Sequence, residues 1–244
     1  MSLLHYYANP SRFLKITKPV VPWLITLMAL LMISGLYLGL FASPPDYQQG
    51  ETVRIIYFHV PAAIMASVVY SFIAVFSAVG LIWKHPLAFF SAKAVAPIGL
   101  TFTFLALATG SLWGKPTWGT WWIWDARLTS VLILFFLYLG YMVIWKSFDN
   151  QQKASQISSI LALVGAINLP IIKFSVDWWN TLHQGASIFR LDGPTIHPDI
   201  LIPLLLMLTG YFVFFLIVTI KLIEIEILDK KIRILQIKIA DKND

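Results

Sequence analysis

The sequence predicts an all-α integral membrane protein of six transmembrane helices. Three observations carry that expectation. Of the 244 residues, 58% are hydrophobic, and the mean hydropathy is +0.75. Only 12% are charged, about half the roughly 25% usual in a soluble domain. The apolar residues fall in six long runs, each near the ~20 residues that cross a hydrocarbon core of about 30 Å. Helices are the expected form because lipid offers backbone N–H and C=O groups no partner. The ten-residue alternation of a membrane β-barrel is missing.

The first run, 20–41, follows Arg12, Lys15 and Lys18. That basic lead imitates a signal peptide, but the run is too long for a signal core and Leu40-Phe41-Ala42 is a poor cleavage site. It reads as an uncleaved anchor. The second run, 57–83, opens on "YFHVPAA", with His59 two residues before Pro61. The third, 94–112, leads into "WGKPTWGTWWIWDARLTS" at 113–130. The fourth, 128–145, starts just after Asp125 and Arg127. The fifth, 156–173, holds Asn168, Pro170 and Lys173, polar and kinking residues that are expected to touch neighbouring helices rather than lipid. The sixth, 200–222, follows His197 and runs into a basic tail, 223–244.

The whole chain, 1–244, reads as one polytopic domain containing the tryptophan-rich segment 113–130. No P-loop or Rossmann glycine pattern is present, so any ATP hydrolysis belongs to another chain. With no cysteine, the chain forms no disulfide and no sulfur-linked cofactor site.

Six spans put both termini on one side. That side then carries thirteen of the lysines and arginines, against five (Arg54, Lys115, Arg127, Lys173 and Arg190) on the other. The positive-inside rule assigns the termini to the cytoplasm. Loops 42–56, 113–127 and 174–199 are then external. The net charge of +6 follows from this bias and calls for no nucleic acid. The tail reads as a segment lying on anionic membrane lipid, touching a cytoplasmic partner, or simply solvated.

Of five histidines, His5 and His85 read as ordinary surface residues on the cytoplasmic side. His59, His183 and His197 are external. Trp23, Trp83 and Trp145 near span ends fit interfacial anchors. Trp113, Trp118, Trp121, Trp122 and Trp124 exceed what anchoring needs. On a helix, Trp118, Trp121 and Trp122 share a face and form an apolar shelf, with Gly114 and Gly119 allowing a turn or the close approach of a ligand. Asp125 reads equally as an N-cap of the fourth span and as a functional group. Arg127 near a helix start opposes the dipole, so it calls for an anionic partner: Asp125, a lipid phosphate or a ligand carboxylate. Haem fits a flat apolar shelf, paired imidazoles and an arginine together. A quinone needs no imidazole pair, a lipid-linked sugar does not use one, and zinc needs no shelf.

The segment "WGKPTWGTWWIWDARLTS" resembles the signature of the tryptophan-rich (WWD) haem-handling membrane proteins. Its Asp-Ala-Arg-Leu-Thr-Ser ending is similar to the cytochrome c maturation protein C branch in particular. The length, the six spans, "YFHVPAA" and the histidine of the last external loop match as well. The resemblance implies haem b, held non-covalently and transiently at the periplasmic face of the bacterial inner membrane. It implies His59 and His183 as axial iron ligands and the tryptophan segment, with Asp125, as the porphyrin platform. Arg127 or Arg54 would steer the propionates, while His197 has no counterpart in the ligand pair. The implied activity is haem transfer without enzymatic catalysis. The implied recipient is the haem chaperone CcmE, with the small membrane protein CcmD and the ABC transporter subunits CcmA and CcmB as further partners. Two other functions compete. One is a permease subunit of an ABC-type haem exporter, which calls for polar residues lining a path at mid-membrane. The other is an electron-transfer cytochrome b, whose paired histidines would lie deeper.

Overall fold

The computed structural model describes residues 10–185 and 187–243. Seven α-helices account for the six spans: α1 (Pro10–Tyr37), α2 (Ile56–Trp83), α3 (Pro86–Trp118), α4 (Ala126–Ser147), α5 (Gln151–Gly165), α6 (Asn168–Trp178) and α7 (Pro198–Asn243). A π-helical turn, Leu38–Ala42, extends α1, and a 3-10 turn, Glu51–Ile55, leads into α2. All six are long and apolar enough to cross a membrane, as the runs predict. Most of their ends reach further than the apolar runs. His5 lies outside the described residues.

The fifth span is two helices. Its break falls at Ala166–Ile167, where i→i+3 bonds such as Ile167 N–H to Val164 C=O at 3.2 Å replace the α pattern. Pro170, which has no N–H to give, forces that adjustment. Asn168 then donates from Nδ2 to the Ser130 carbonyl of α4 at 2.8 Å. The polar residue is therefore used in helix packing, as its sequence position suggests.

α2 is the central element. It packs most extensively on α3 and also touches α5 and α7, while α1 leans on α7. Its buried face carries Tyr57, Met65, Val69, Tyr70 and Ile73. Without water to drive association in lipid, close packing and interhelical hydrogen bonds hold the bundle. Tyr138 of α4 illustrates both. Its ring lies over Gly99 of α3 and its hydroxyl donates to the Ala66 carbonyl of α2 at 2.7 Å. At the end that bears the termini, Thr17 of α1 donates to Glu224 of α7 at 2.5 Å, and Lys93 of α3 meets Glu226 at 3.7 Å. The opposite end gathers His59, the tryptophan segment and the 179–197 loop.

Candidate functional site

α3 builds one wall of this end. Its last three turns carry Thr109, Gly110, Trp113 and Trp118. The helix stops at Gly119, whose φ of 77° is left-handed and whose N–H closes on Lys115 C=O. Glycine adopts that conformation without the Cβ clash other residues meet. Residues 119–125 are then non-helical. The helical shelf expected of Trp118, Trp121 and Trp122 is therefore corrected. Trp118 ends α3, and Trp121, Trp122 and Trp124 lie on an irregular strap, because Gly119 breaks the helix between them.

The strap is pinned at several points. Ser111 donates to the Trp121 carbonyl at 2.8 Å, and Lys115 sits 5.8 Å from the Trp121 ring centre. Trp122 and Trp124 meet edge to face at 5.5 Å. Trp124 is 75% exposed. The buried Trp122 Nε1 has no hydrogen-bond partner. A buried N–H without an acceptor is unfavourable, so this atom marks a place where a ligand acceptor would be welcome.

His59, one turn into α2, packs its ring edge to face on Trp113 at 5.6 Å. Its Nδ1 lies 3.1 Å from Thr109 Oγ1. That hydroxyl already donates to Leu105 C=O at 2.6 Å, so it accepts from His59, and the proton sits on Nδ1. Nε2 then carries the lone pair. Gly110 makes room for the ring: a Cβ there would lie 2.9 Å from His59 Cε1. Trp113 is itself fixed by its Nε1–H to Gln49 Oε1 bond of 2.7 Å.

His183, in the 179–197 loop, is built the same way. Its ring meets Trp118 at 4.8 Å, edge to face, and its Nδ1 faces Asp125 Oδ2 at 3.3 Å. Burial pushes this imidazole below its usual titration range, against the opposing pull of Asp125. The neutral ring donates from Nδ1 to the carboxylate, which again leaves the lone pair on Nε2. The two histidines, on different elements, are close enough to interact electrostatically.

Asp125 is the N-cap that its position before α4 suggests. It caps α4, accepting from the Leu128 N–H at 2.7 Å, and it also receives the Thr181 hydroxyl and His183. Burial alone would raise its pKa. The Thr181 hydroxyl, the Leu128 N–H and His183 outweigh burial and hold the carboxyl below its usual range.

Arg127 makes its hydrogen bonds to neutral groups, while the carboxylates of Asp125, one of its expected partners, and Asp177 attract it through space. Its guanidinium donates to Ser175 Oγ at 3.2 Å and to the Ile172 and Lys173 carbonyls at 3.3 and 3.2 Å. Arg54 is occupied elsewhere, by Glu51, Gly39 C=O and Ser43. His197 is apart from the group, 64% exposed and 3.8 Å from Asp199. Thr109, Gly110, Thr181 and Gln49 support the site without standing out in the sequence. The available signal for Thr109 was its position one turn before Trp113, on the same helical face.

The sequence profile of a family described as Heme exporter protein C matches residues 3–238. The chain belongs to the heme exporter protein C family. It is similar to a heme exporter protein C of Bradyrhizobium diazoefficiens, 52% identical over 96% of this chain and 89% of the relative. One from Escherichia coli K12 is 50% identical over 75% of each chain. One from Haemophilus influenzae is 44% identical over 92% of each. The membrane-spanning architecture of this family member therefore ends, on one face, in two tryptophan-buttressed histidines.

Proposed function

We propose that this protein binds haem at the membrane face bearing His59 and His183 and hands it to the haem chaperone CcmE for c-type cytochrome biogenesis. The carrying observation is the matched construction of the two imidazoles. Each makes its hydrogen bond through Nδ1, which leaves Nε2 as the metal-facing atom, the arrangement that orients metal-ligating histidines. Among the described residues, no group of three or more His, Asp or Glu side chains comes together for a bare metal ion. Haem iron already has four pyrrole nitrogens and needs only the two axial imidazoles.

Haem b is the cargo here, held without a covalent bond and released intact. His59 and His183 ligate the iron. Trp113 and Trp118 hold the two rings in place, while the strap of Trp121, Trp122 and Trp124 covers the porphyrin and keeps water from one face. Trp122 Nε1 is available to a propionate. CcmD and the ABC subunits CcmA and CcmB are the further partners in this reading, and any ATP hydrolysis is theirs. The site faces the periplasm of the bacterial inner membrane. The permease alternative gains nothing from Asn168, which is engaged by Ser130 C=O and lines no path.

The test is a visible absorption spectrum of protein purified in detergent and loaded with haem, followed by mixing with the chaperone. A six-coordinate, two-imidazole spectrum is expected. His59→Ala and His183→Ala should each alter the Soret band and weaken retention, and His197→Ala should do neither. Loss of haem on His197→Ala alone, or no haem passed on to the chaperone by the unmodified protein, overturns the reading.

A further inference from the structure

α7 does not stop with its membrane span. It continues unbroken to Asn243, so residues 225–243 extend for roughly 28 Å at 1.5 Å per residue. Two apolar stripes run along this extension. Ile223 and Ile227 belong to the first, and the bundle covers Ile227, which is only 8% exposed. The second stripe lies on the opposite side: Ile225, Leu228, Ile232, Leu235 and Ile239. These five are 48–60% exposed, and their spacing is three, four, three, four.

That spacing is a heptad seam, with isoleucine at each a position and leucine at each d position. β-Branched a residues with leucine at d favour two parallel strands. Beyond Leu228 the residues of described burial are all exposed, so this apolar face meets no partner among the described residues. Beyond Asp229 the sequence carries Lys230, Lys231, Arg233 and Lys238, charges that the hydrocarbon core of a bilayer does not readily accept.

The flanking charges select the partner. Lys231 and Lys238 occupy g positions, and Asp229 and Gln236 occupy e positions. In a parallel pair of this chain with itself, Lys231 would meet Gln236, and Lys238 would meet Asn243, while Glu224 at the preceding g position is already engaged by Thr17 and Lys221. No attractive pair forms. We propose that the second stripe is a docking seam for a single helix of a different membrane protein. That helix leaves the bilayer on the same face, runs parallel, and carries apolar a and d positions with Asp or Glu opposite Lys231 and Lys238.

Since the chain has no cysteine or other competing thiol, the test adds single cysteines for a thiol-coupled photo-crosslinker. They are placed at Leu235 and Ile239 on the seam and at Arg233 off it, in membranes holding the whole native assembly. Adducts are expected at the two seam positions and about tenfold less at Arg233. The cross-linked peptide, mapped by mass spectrometry, should be an acidic-flanked heptad helix of another membrane protein. Lys231→Glu should remove the adduct, and the reverse-charge change in the mapped helix should restore it. Leu235 and Ile239 are exposed, and unchanged helical circular dichroism and a single detergent-solubilised species verify that each variant folds. An adduct to a second copy, to residues 1–9 of the same chain or to lipid overturns the proposal. So does an adduct indifferent to Lys231→Glu, or none at the seam.

Discussion

At the scale of single residues, the imidazoles are oriented by neighbouring side chains that are not themselves proposed ligands. Thr109 and Asp125 hold the proton on Nδ1 of His59 and His183. Loss of such supporting bonds typically lowers metal affinity about 10–100-fold. Thr109→Val and Asp125→Asn should therefore bind haem more weakly by that factor while keeping a two-imidazole spectrum. Titration of haem into each purified variant reads both effects. Asparagine still caps a helix, so Asp125→Asn separates the carboxylate's hold on His183 from its cap of α4. A variant with unchanged affinity would return Asp125 to capping alone. Gly110→Ala should act more severely, because its Cβ would lie 2.9 Å from His59 Cε1 and push the ring from its place. The haem spectrum should then approach that of His59→Ala. Thr109 and Gly110 were not legible as site residues, since neither carries metal-binding chemistry. Only contact with His59, fifty residues away, gives them a role.

At the scale of elements, the tryptophan segment divides into parts with different work. Trp118 ends α3 and touches His183, whereas Trp124 stands largely in the open. Burial of a large side chain is worth roughly 1.5–3 kcal/mol, about tenfold to a hundredfold in affinity. Trp118→Ala should weaken haem binding at the upper end of that range, because it also frees the histidine. Trp121→Ala and Trp122→Ala should fall within the range, and Trp124→Ala at its lower end. Equal losses at all four, in equilibrium titrations, would restore a uniform shelf in place of this division. The six spans were legible because lipid permits so few alternatives to a helix. Asp125 was legible as a cap because an acidic residue before an apolar run has few other local uses. The strap was not, because tryptophan spacing suits one face of a helix and only the positive φ of Gly119 decides against it. Arg127 was legible as needing negative charge. Its hydrogen-bond partners, Ser175 and the Ile172 and Lys173 carbonyls of α6, lie more than forty residues away and carry no charge by which the sequence could mark them.

At the scale of the whole molecule, six crossings bring every element of the proposed haem site to one end and the termini to the other. Haem delivery for periplasmic cytochromes requires the histidine end to face outward, so orientation tests the function as well as the fold. The thirteen-to-five division of lysine and arginine predicts it independently, since positive loops are retained in the cytoplasm. Lys93 and Lys221 on the terminus-bearing face are matched by Glu226 and Glu224, whereas the opposite face uses its arginines locally, on carbonyls and nearby carboxylates. A phosphatase or fluorescent-protein fusion at Lys153, in the loop between α4 and α5, should therefore report the cytoplasm, as should one at the carboxyl terminus. A fusion beside Lys115, at the end of α3, should report the periplasm. Substituting glutamine for Lys84, Lys93, Lys146 and Lys153 together should weaken this preference, because it removes the internal cations that hold the second and third hairpins in place. A reversed pattern in the unmodified chain would open His59 and His183 to the cytoplasm, where the same geometry would serve haem uptake into the protein rather than its delivery outside.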